Sequence, residues 1–240
     1  MMSENLLQRI RRSIGHYKRS LFPDPVSKLY SENEYLTAYA KHTDMRVDKD
    51  PHQAIGGLWE EMGTLQFDFL VQHGLRPGHT LLDIGCGTLR GGQHFIQYLN
   101  PCNYTGIDIS PKAIEYGLTL VRQGGLQEKK PVLMVNKDLT FGSFQNQTFD
   151  YILAQSVFSH LLPEHIQECF NNIGRIMGTR SAFFFTYNDA GAFEQTGVKD
   201  FRYPFSFFEN IATKCNVSLE DMSSAYPHPH DQRMVRAVKQ

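Results

Sequence analysis

Residues 81–92 of the chain have the sequence LLDIGCGTLRGG, an apolar run that contains one acid and ends at two closely spaced glycines. A short apolar run bounded by turn residues is typical of a buried parallel strand. Gly85 and Gly87 then allow a tight turn, and a helix that follows it offers unpaired N–H groups and the positive end of its dipole. Asp83 adds an acceptor beside those donors. The stretch predicts a nucleotide-binding turn, and the alternative is a turn whose glycines serve close packing only.

The composition is that of an ordinary globular protein. The 240 residues suffice for one large domain, or for one domain with an appendage, and 41% of them are hydrophobic. A net charge of −1 gives no electrostatic reason to expect nucleic acid as a partner. We see no membrane-spanning run and no signal-peptide core, so we expect a cytoplasmic protein. The scattered cysteines favour reduced thiols over a disulfide frame or a zinc site: Cys86, Cys102, Cys169 and Cys215.

From residue 80 onward, strand and helix patterns alternate, which predicts a parallel sheet with helices on both faces. Strands are expected at 80–84, 104–108, 131–136, 149–153, 181–187, 216–221 and 232–239. Helices are expected near 89–99, 111–123 and 163–177, and after Pro204. We therefore expect an α/β domain over 78–240 and an N-terminal helical extension over 1–77 that covers the ligand cleft.

The extension contains two helical patterns. Residues 6–22 form a basic amphipathic pattern, which fits either weak docking on an anionic surface or packing over the cleft. A polar stretch at 41–53 is expected to separate it from a second helix over 53–73. That second helix carries Trp59 and Glu61, which we expect near the cleft.

Acidic residues close three successive predicted strands: Asp83, Asp108 and Asp138. In a parallel sheet, ligands lie at the carboxyl ends of the strands, so these acids are expected to share one site. The position of Asp108, 23 residues beyond Gly85, suits a carboxylate that receives ribose hydroxyls.

The turn differs from a dinucleotide-binding fingerprint in two ways. Arg90 occupies the position of the third glycine, and Asp83 would repel a pyrophosphate. A ligand with an ammonium group fits better. The pattern therefore favours S-adenosylmethionine over NAD(P).

Four segments, LLDIGCGTLRGG, GIDIS, NKDL and FDYILAQSVFSHL, resemble successive motifs of the class I S-adenosylmethionine-dependent methyltransferases. The resemblance covers about residues 78–188, and the GGLWEE segment resembles an uncharacterised bacterial subgroup of that class. It implies a Rossmann-like three-layer sandwich, with a seven-stranded, mostly parallel sheet and an antiparallel last strand. The fourth motif lacks the Asn/Asp-Pro-Pro-Tyr of adenine methylases, which counts against nucleic acid as the acceptor.

The resemblance also implies roles for individual residues. Gly85 and Gly87 would contact the methionine end of the donor, Asp108 the ribose and Asp138 the adenine, while Gln155 and Ser156 would lie beside the reactive methyl. The complete expected donor site comprises Asp83, Gly85, Cys86, Gly87, Arg90, Asp108, Ile109, Asp138, Leu139, Gln155 and Ser156.

His160 is the candidate general base, because it follows the fourth strand and its unperturbed pKa suits proton transfer. A histidine that makes only structural hydrogen bonds is the alternative. Candidate acceptor-binding residues are Trp59, Glu61, Asn188, Tyr226, His228 and His230, with Asp189 and Lys199 beside them. His228 and His230 are weak metal-ligand candidates, and no metal is expected.

The sequence predicts a methyltransferase acting on a small polar acceptor, with an oxygen on a sugar or on a similar cell-envelope intermediate as the first candidate. The alternatives are methylation of a protein or of another natural product, a non-catalytic partner subunit that binds S-adenosylmethionine, and an NAD(P)-dependent enzyme.

Overall fold

The computed structural model of the protein describes residues 24–145 and 147–240. Its N-terminal part contains α1 (Pro25–Glu32), α2 (Tyr35–Lys49), α3 (Pro51–Ala54) and α4 (Trp59–Gln72). The basic pattern at 6–22 lies outside the described residues. The expected domain boundary at residue 77 stays a prediction.

The remaining elements alternate as the sequence predicts. They are β1 (Leu81–Ile84), α5 (Gly92–Tyr98), β2 (Tyr104–Asp108), α6 (Pro111–Gln123), β3 (Val132–Val135), β4 (Phe149–Ala154), α7 (Pro163–Ile173), β5 (Met177–Tyr187), β6 (Glu194–Gln195), β7 (Phe201–Arg202), α8 (Phe205–Lys214), β8 (Val217–Asp221) and β9 (Arg233–Lys239).

Seven strands form one sheet in the order β3-β2-β1-β4-β5-β9-β8. The neighbours from β3 to β5 pair in parallel, whereas β9 is antiparallel to both β5 and β8. β1 lies between β2 and β4, with Asp83 in register with both Gly106 and Leu153. The expected Rossmann-like sheet with its antiparallel last strand is confirmed.

Alternation along the strands divides the core into two layers. Leu82 of β1 and Phe183 of β5 pack on one face of the sheet with α7 and α8, whereas Leu81 and Phe184 pack on the other face with α4, α5 and α6. Because both faces are covered, the open edge at the strand carboxyl ends is where a cavity can form.

The N-terminal part differs from the sequence expectation. The stretch at 41–53 is not a break, because α2 continues to Lys49 and Asp50 caps the next helix by accepting from the N–H groups of His52 and Gln53. The expected helix over 53–73 is interrupted at Gly56 and Gly57, whose φ angles are +94° and +65°. Such left-handed backbone ends a helix.

In the segment after β5, β6 and β7 pair as a short antiparallel hairpin. Among the helices of residues 24–145 and 147–240, none is long and apolar enough to cross a membrane.

Candidate active site

A cavity of about 440 Å³ lies at the carboxyl ends of the strands and beneath α2. All the expected donor-site residues line it, as do His160, Asn188, Lys199, His228 and His230. We call the part formed by residues that close β1 to β4 the strand-end side. The roles of these residues stay predictions.

The glycine turn is too tight for side chains. Gly85 has a φ of +68°, and a Cβ there would lie 2.5 Å from Cγ2 of Val157. Gly87 has a φ of +56°, and its Cβ would lie 2.8 Å from Cγ2 of Ile55. The turn is tied to β2, because the N–H groups of Gly85 and Cys86 both donate to the carbonyl of Ile107.

A buried carboxylate and a buried guanidinium lie at the end of β1. The Tyr104 hydroxyl donates to Asp83 at 2.7 Å, and burial raises the pKa of Asp83 to about 7. Arg90 donates through Nη1 to the carbonyls of Ile55 and Gly57, at 3.0 and 2.7 Å. Its buried Nε has no partner within the described part of the chain. This end of the cavity can therefore receive a ligand that carries both an ammonium and a carboxylate.

Asp108 links the ends of β1 and β2. It accepts from the N–H of Gly87 at 2.9 Å and from that of Ser110 at 2.8 Å. Burial raises the pKa of Asp108 to about 6, although both hydrogen bonds favour the charged form. The carboxylate oxygens keep lone pairs that can receive hydroxyls.

Asp138 has a different environment from the other two acids. It is exposed and accepts from the N–H and the hydroxyl of Thr140, at 2.9 and 2.6 Å. The N–H of the next residue, Leu139, donates to Glu168 of α7 at 2.9 Å. Glu168 also lines the cavity. The sequence did not predict this, because an acidic residue in the middle of a helix does not by itself indicate a binding site.

The end of β4 is held by polar contacts from distant residues. The Tyr226 hydroxyl donates to Gln155 at 2.7 Å, and Nε2 of His228 lies 3.0 Å from the amide nitrogen of Gln155. Ser156 has a φ of +57°, and its N–H donates to the hydroxyl of Thr186 at 2.7 Å. Burial lowers the pKa of His228 to about 4, so this imidazole is neutral at pH 7.

His160 is fixed from two directions. Its Nδ1 lies 2.9 Å from the carbonyl of Lys199 and 3.2 Å from Oδ1 of Asp200. Its own carbonyl accepts from the Tyr35 hydroxyl at 2.7 Å. The Lys199 ammonium is a third neighbour of Nδ1, at the longer distance of 3.5 Å. A proton on Nδ1 serves the two closer oxygens and leaves the lone pair on Nε2.

Three expected acceptor-binding residues do not line the cavity, and these predictions are corrected. Trp59 stacks on His52, with ring centroids 3.8 Å apart. Glu61 is exposed on α4 and borders a separate cleft with Glu60 and Asp68, because Met62 and Gln66 form the helix face that meets the cavity. Tyr226 is fully buried behind Gln155 and touches the cavity only through it.

Asp189 also lies outside the cavity, with Oδ2 3.4 Å from Nε of Arg233. In the part of the chain that the structure describes, no group of three or more His, Cys, Asp or Glu side chains is placed to hold a metal ion.

One helix face that meets the cavity was missed from the sequence. Leu36, Tyr39, Thr43 and Arg46 of α2 line it, at the spacing of three and four that places residues on one helix face. We call these four residues the lid face. The sequence did not indicate this face because it mixes polar and apolar residues, whereas the usual sequence signal is an apolar stripe.

Comparisons with known proteins agree with this geometry. Residues 82–180 match a family model described as a methyltransferase domain. A TehB-like S-adenosylmethionine-dependent methyltransferase from Corynebacterium glutamicum superposes with a TM-score of 0.58 at 18% identity, over 85% of this chain and 98% of that one. Magnesium protoporphyrin IX methyltransferase from Synechocystis, crystallised with S-adenosylmethionine, gives 0.57 at 16% identity, over 75% and 81%.

Residues 82–180 thus resemble a methyltransferase domain, and the fold is the one found in solved S-adenosylmethionine-dependent methyltransferases. Geranyl diphosphate 2-C-methyltransferase from Saccharopolyspora erythraea is 33% identical over 69 residues, which are 28% of this chain and 24% of that protein. The chain thus matches about a quarter of the length of that relative. The predicted fold is confirmed, and the predicted methyltransferase domain agrees with the family match over residues 82–180. The predicted methyl donor is the ligand with which the Synechocystis enzyme was crystallised.

Proposed function

We propose that the protein transfers a methyl group from S-adenosylmethionine to an oxygen atom of a small polar acceptor. A hydroxyl of a sugar, or of a similar cell-envelope intermediate, is the first candidate. The observation that carries the proposal is His160, whose Nδ1 is held by a carbonyl and a carboxylate in the same cavity as the glycine turn.

The residues of the strand-end side fit the donor. The partnerless Nε of Arg90 and the carboxylate of Asp83 suit its carboxylate and ammonium, and Asp108 suits its ribose hydroxyls. Ile109 and Leu139 would pack against its adenine. When bound, the donor supplies a methyl group on a positively charged sulfur.

The protein's own contribution is alignment and proton removal. Holding the two reactants in line supplies about 7–11 kcal/mol of the barrier in well-oriented reactions. His160 would accept the hydroxyl proton on Nε2 while the carbonyl of Lys199 and Asp200 hold the proton on Nδ1. General-base catalysis of this kind contributes roughly 10²–10⁴ in rate.

The small size of the acceptor is inferred from the cavity. About 440 Å³ has to hold the donor as well as the acceptor, and α2 closes over it. Ligand pockets span roughly 300–1,000 Å³, so this volume lies toward the lower end.

The test is His160→Gln in the full chain, supplied with labelled S-adenosylmethionine and pools of sugars and other hydroxylated metabolites. We expect turnover to fall by roughly 10²–10⁴ while the calorimetric Kd for S-adenosylmethionine stays within about twofold. His79→Gln is the matched control. His79 is half-buried, its Nδ1 accepts the N–H of Arg76 at 3.1 Å, and it lies just before β1, at the opposite edge of the sheet.

Equal losses of turnover and of donor affinity in His160→Gln would contradict the role as base. Donor binding without formation of S-adenosylhomocysteine from any pool would favour the alternative of a non-catalytic partner subunit. Calorimetry with NAD tests the alternative of an NAD(P)-dependent enzyme, and we expect no binding.

A further inference from the structure

We infer that the acceptor carries an anionic group, a carboxylate or a phosphate, and that Lys199 and Arg46 bind it at the lid face. The inference rests on the proposed methyl transfer, because it assigns the substrate class of that same cavity. It narrows the polar acceptor proposed above to a charged one.

The two cations reach the cavity from separate parts of the chain. Arg46 lies on α2, and Lys199 lies in the turn between β6 and β7. The Lys199 side chain is 15% exposed, so its ammonium is largely removed from water. A cation held in such a place interacts strongly with an incoming anion, because little solvent screens it.

The charges in this corner do not balance. Asp200 pairs with Lys199 at 3.2 Å and is the one carboxylate among the described residues that forms an ion pair with either cation. Arg46 donates to the neutral carbonyl of Gln53 at 2.8 Å and has no carboxylate within ion-pair distance in the described ranges. Two cations against one carboxylate leave an excess of one positive charge.

The two cations also act on other titratable groups in the corner. The pKa of His42 is lowered by burial and then by Lys199 and Arg46, although Asp200 and Asp24 act in the opposite direction. The pKa of Asp200 is held well below its usual range, first by its hydrogen bond to His160 and also by Lys199. Tyr30, Tyr35 and Tyr39 face the corner as neutral phenols whose pKa values are raised by burial.

The hydrogen-bonding groups of Arg46 and Lys199 suit an oxyanion. A guanidinium binds a carboxylate or phosphate with two parallel N–H groups, and an ammonium adds a point charge. Tyr39 lies on the same helix face as Arg46, with its ring centroid 5.8 Å from that of His160. Its hydroxyl makes no hydrogen bond within residues 24–145 and 147–240. A bound anion would therefore lie next to the candidate base.

The carboxylate of the donor is the competing occupant. It has its own candidate partner in Arg90, which lies on the strand-end side beside Asp83. The two assignments can be told apart by measurement. If Lys199 and Arg46 bound the carboxylate of the donor, loss of either side chain would weaken donor binding rather than acceptor binding.

The first experiment needs no knowledge of the acceptor. The full chain is saturated with S-adenosylhomocysteine and titrated with inorganic phosphate or with acetate at constant ionic strength, and anion binding is followed by NMR. We expect Lys199→Gln and Arg46→Gln each to weaken anion binding by about tenfold or more, as loss of a charge-assisted hydrogen bond does. Lys199→Arg should restore most of the affinity, and the two anions separate a phosphate site from a carboxylate site.

The matched controls lie at the opposite edge of the sheet. Lys129 donates to the carbonyl of Leu99 at 2.8 Å, and Arg76 donates to the carbonyl of Leu75 at 2.9 Å. Lys129→Gln and Arg76→Gln should leave anion binding unchanged. The side-chain change at Lys199 leaves its carbonyl contact with Nδ1 of His160 in place and removes only the ammonium, which lies 3.5 Å from the same nitrogen.

The second experiment compares paired acceptors, a neutral sugar and its phosphorylated or carboxylated form. We expect a KM at least about tenfold lower for the anionic member, and loss of that preference in Lys199→Gln.

Equal KM values for the pair, together with unchanged anion binding in both variants, would overturn the anionic assignment and leave methyl transfer standing. Anion binding that depends on Lys199, without any methyl transfer, would overturn the proposed function and leave the anion site standing. A weaker Kd for S-adenosylmethionine in both variants would assign the two cations to the donor instead.

Discussion

The strand-end side of the cavity is built from consecutive strand ends, whereas the opposite side is assembled from α2, the turn before Asp200 and the loop that holds His228. On the strand-end side, Asp83 and Asp108 are placed by the register of β1 with β2. On the other side, His160 is held by Lys199 and Tyr35, which lie 39 and 125 positions away from it in the sequence. Local sequence spacing thus fixes the first side, and only tertiary contacts fix the second.

The two sides also differ in electrostatics. On the strand-end side, burial raises the pKa values of two carboxyl groups, those of Asp83 and Asp108. The corner formed by Arg46 and Lys199 holds excess positive charge. A zwitterionic donor would bind Asp83 and Arg90, and an anionic acceptor would bind Arg46 and Lys199, so the two ligands would not compete for the same side chains.

The largest predicted effect is on the pH dependence of stability through Asp83. Its carboxyl has a pKa of 3.8 in a model peptide and about 7 in the folded protein, so the folded state binds more protons between these values. The contribution of Asp83 to the free energy of unfolding should therefore fall by about 4 kcal/mol as pH rises from about 4 to about 8.

Urea unfolding of Asp83→Asn across this pH range tests the effect. The variant should lose somewhat more than half of the slope, since its side chain does not titrate, and Asp108, whose pKa burial raises to about 6, should contribute the remainder. Asp138→Asn, at an exposed strand end, is the control and should keep the slope of the parent protein. A slope in Asp83→Asn equal to that of the parent protein would contradict the burial of a titrating Asp83 carboxyl on the strand-end side.

The next effect concerns the steric limits of the glycine turn. Gly85→Ala adds both a left-handed backbone strain and a clash with Val157, whereas Gly125→Ala adds the strain alone, since nothing lies within 4 Å of its Cβ. The free energy of unfolding of Gly85→Ala should be lower than that of Gly125→Ala by about 1–3 kcal/mol, the usual cost of overpacking. Urea unfolding gives this difference, and calorimetry should show weakened donor binding for Gly85→Ala only.

A smaller effect is expected for the attachment of α2. Tyr35→Phe removes the hydrogen bond to the carbonyl of His160, worth about 1 kcal/mol. Amide hydrogen exchange in α2 should therefore become about fivefold faster, with β1 and β2 unaffected. Tyr98→Phe, which removes a similar bond to the carbonyl of Leu75, should leave α2 unchanged. Equal acceleration in β1 would mean that α2 and the sheet open together.

The smallest effect follows from the correction at α4. Glu61→Gln should leave kcat/KM within about twofold, as expected for an exposed residue outside the cavity. Gln66→Leu is the positive control on the same helix, since Gln66 is buried and lines the cavity. A large loss in Glu61→Gln would restore Glu61 to the acceptor site.

The sequence by itself determined the strand-end side. Apolar runs that end at Asp83 and Asp108, with glycines between them, specify buried parallel strands and a tight turn, and the carboxyl ends of such strands share one edge. Local periodicity and turn chemistry suffice there because each site residue follows the strand that positions it. The same reasoning misplaced Glu61, since it located the helix but not the face that the helix presents.

Only the tertiary structure decided the opposite side. Arg46 lies far in sequence from the adjacent residues Lys199 and Asp200, and none of the three belongs to a motif. The polar stretch at 41–53 is helical as far as Lys49 because α2 is capped at Asp50 and packs against α6. Which charges meet depends on how α2 crosses the strand ends and where the β6–β7 hairpin turns. Long-range packing sets that geometry, and no local pattern in the chain encodes it.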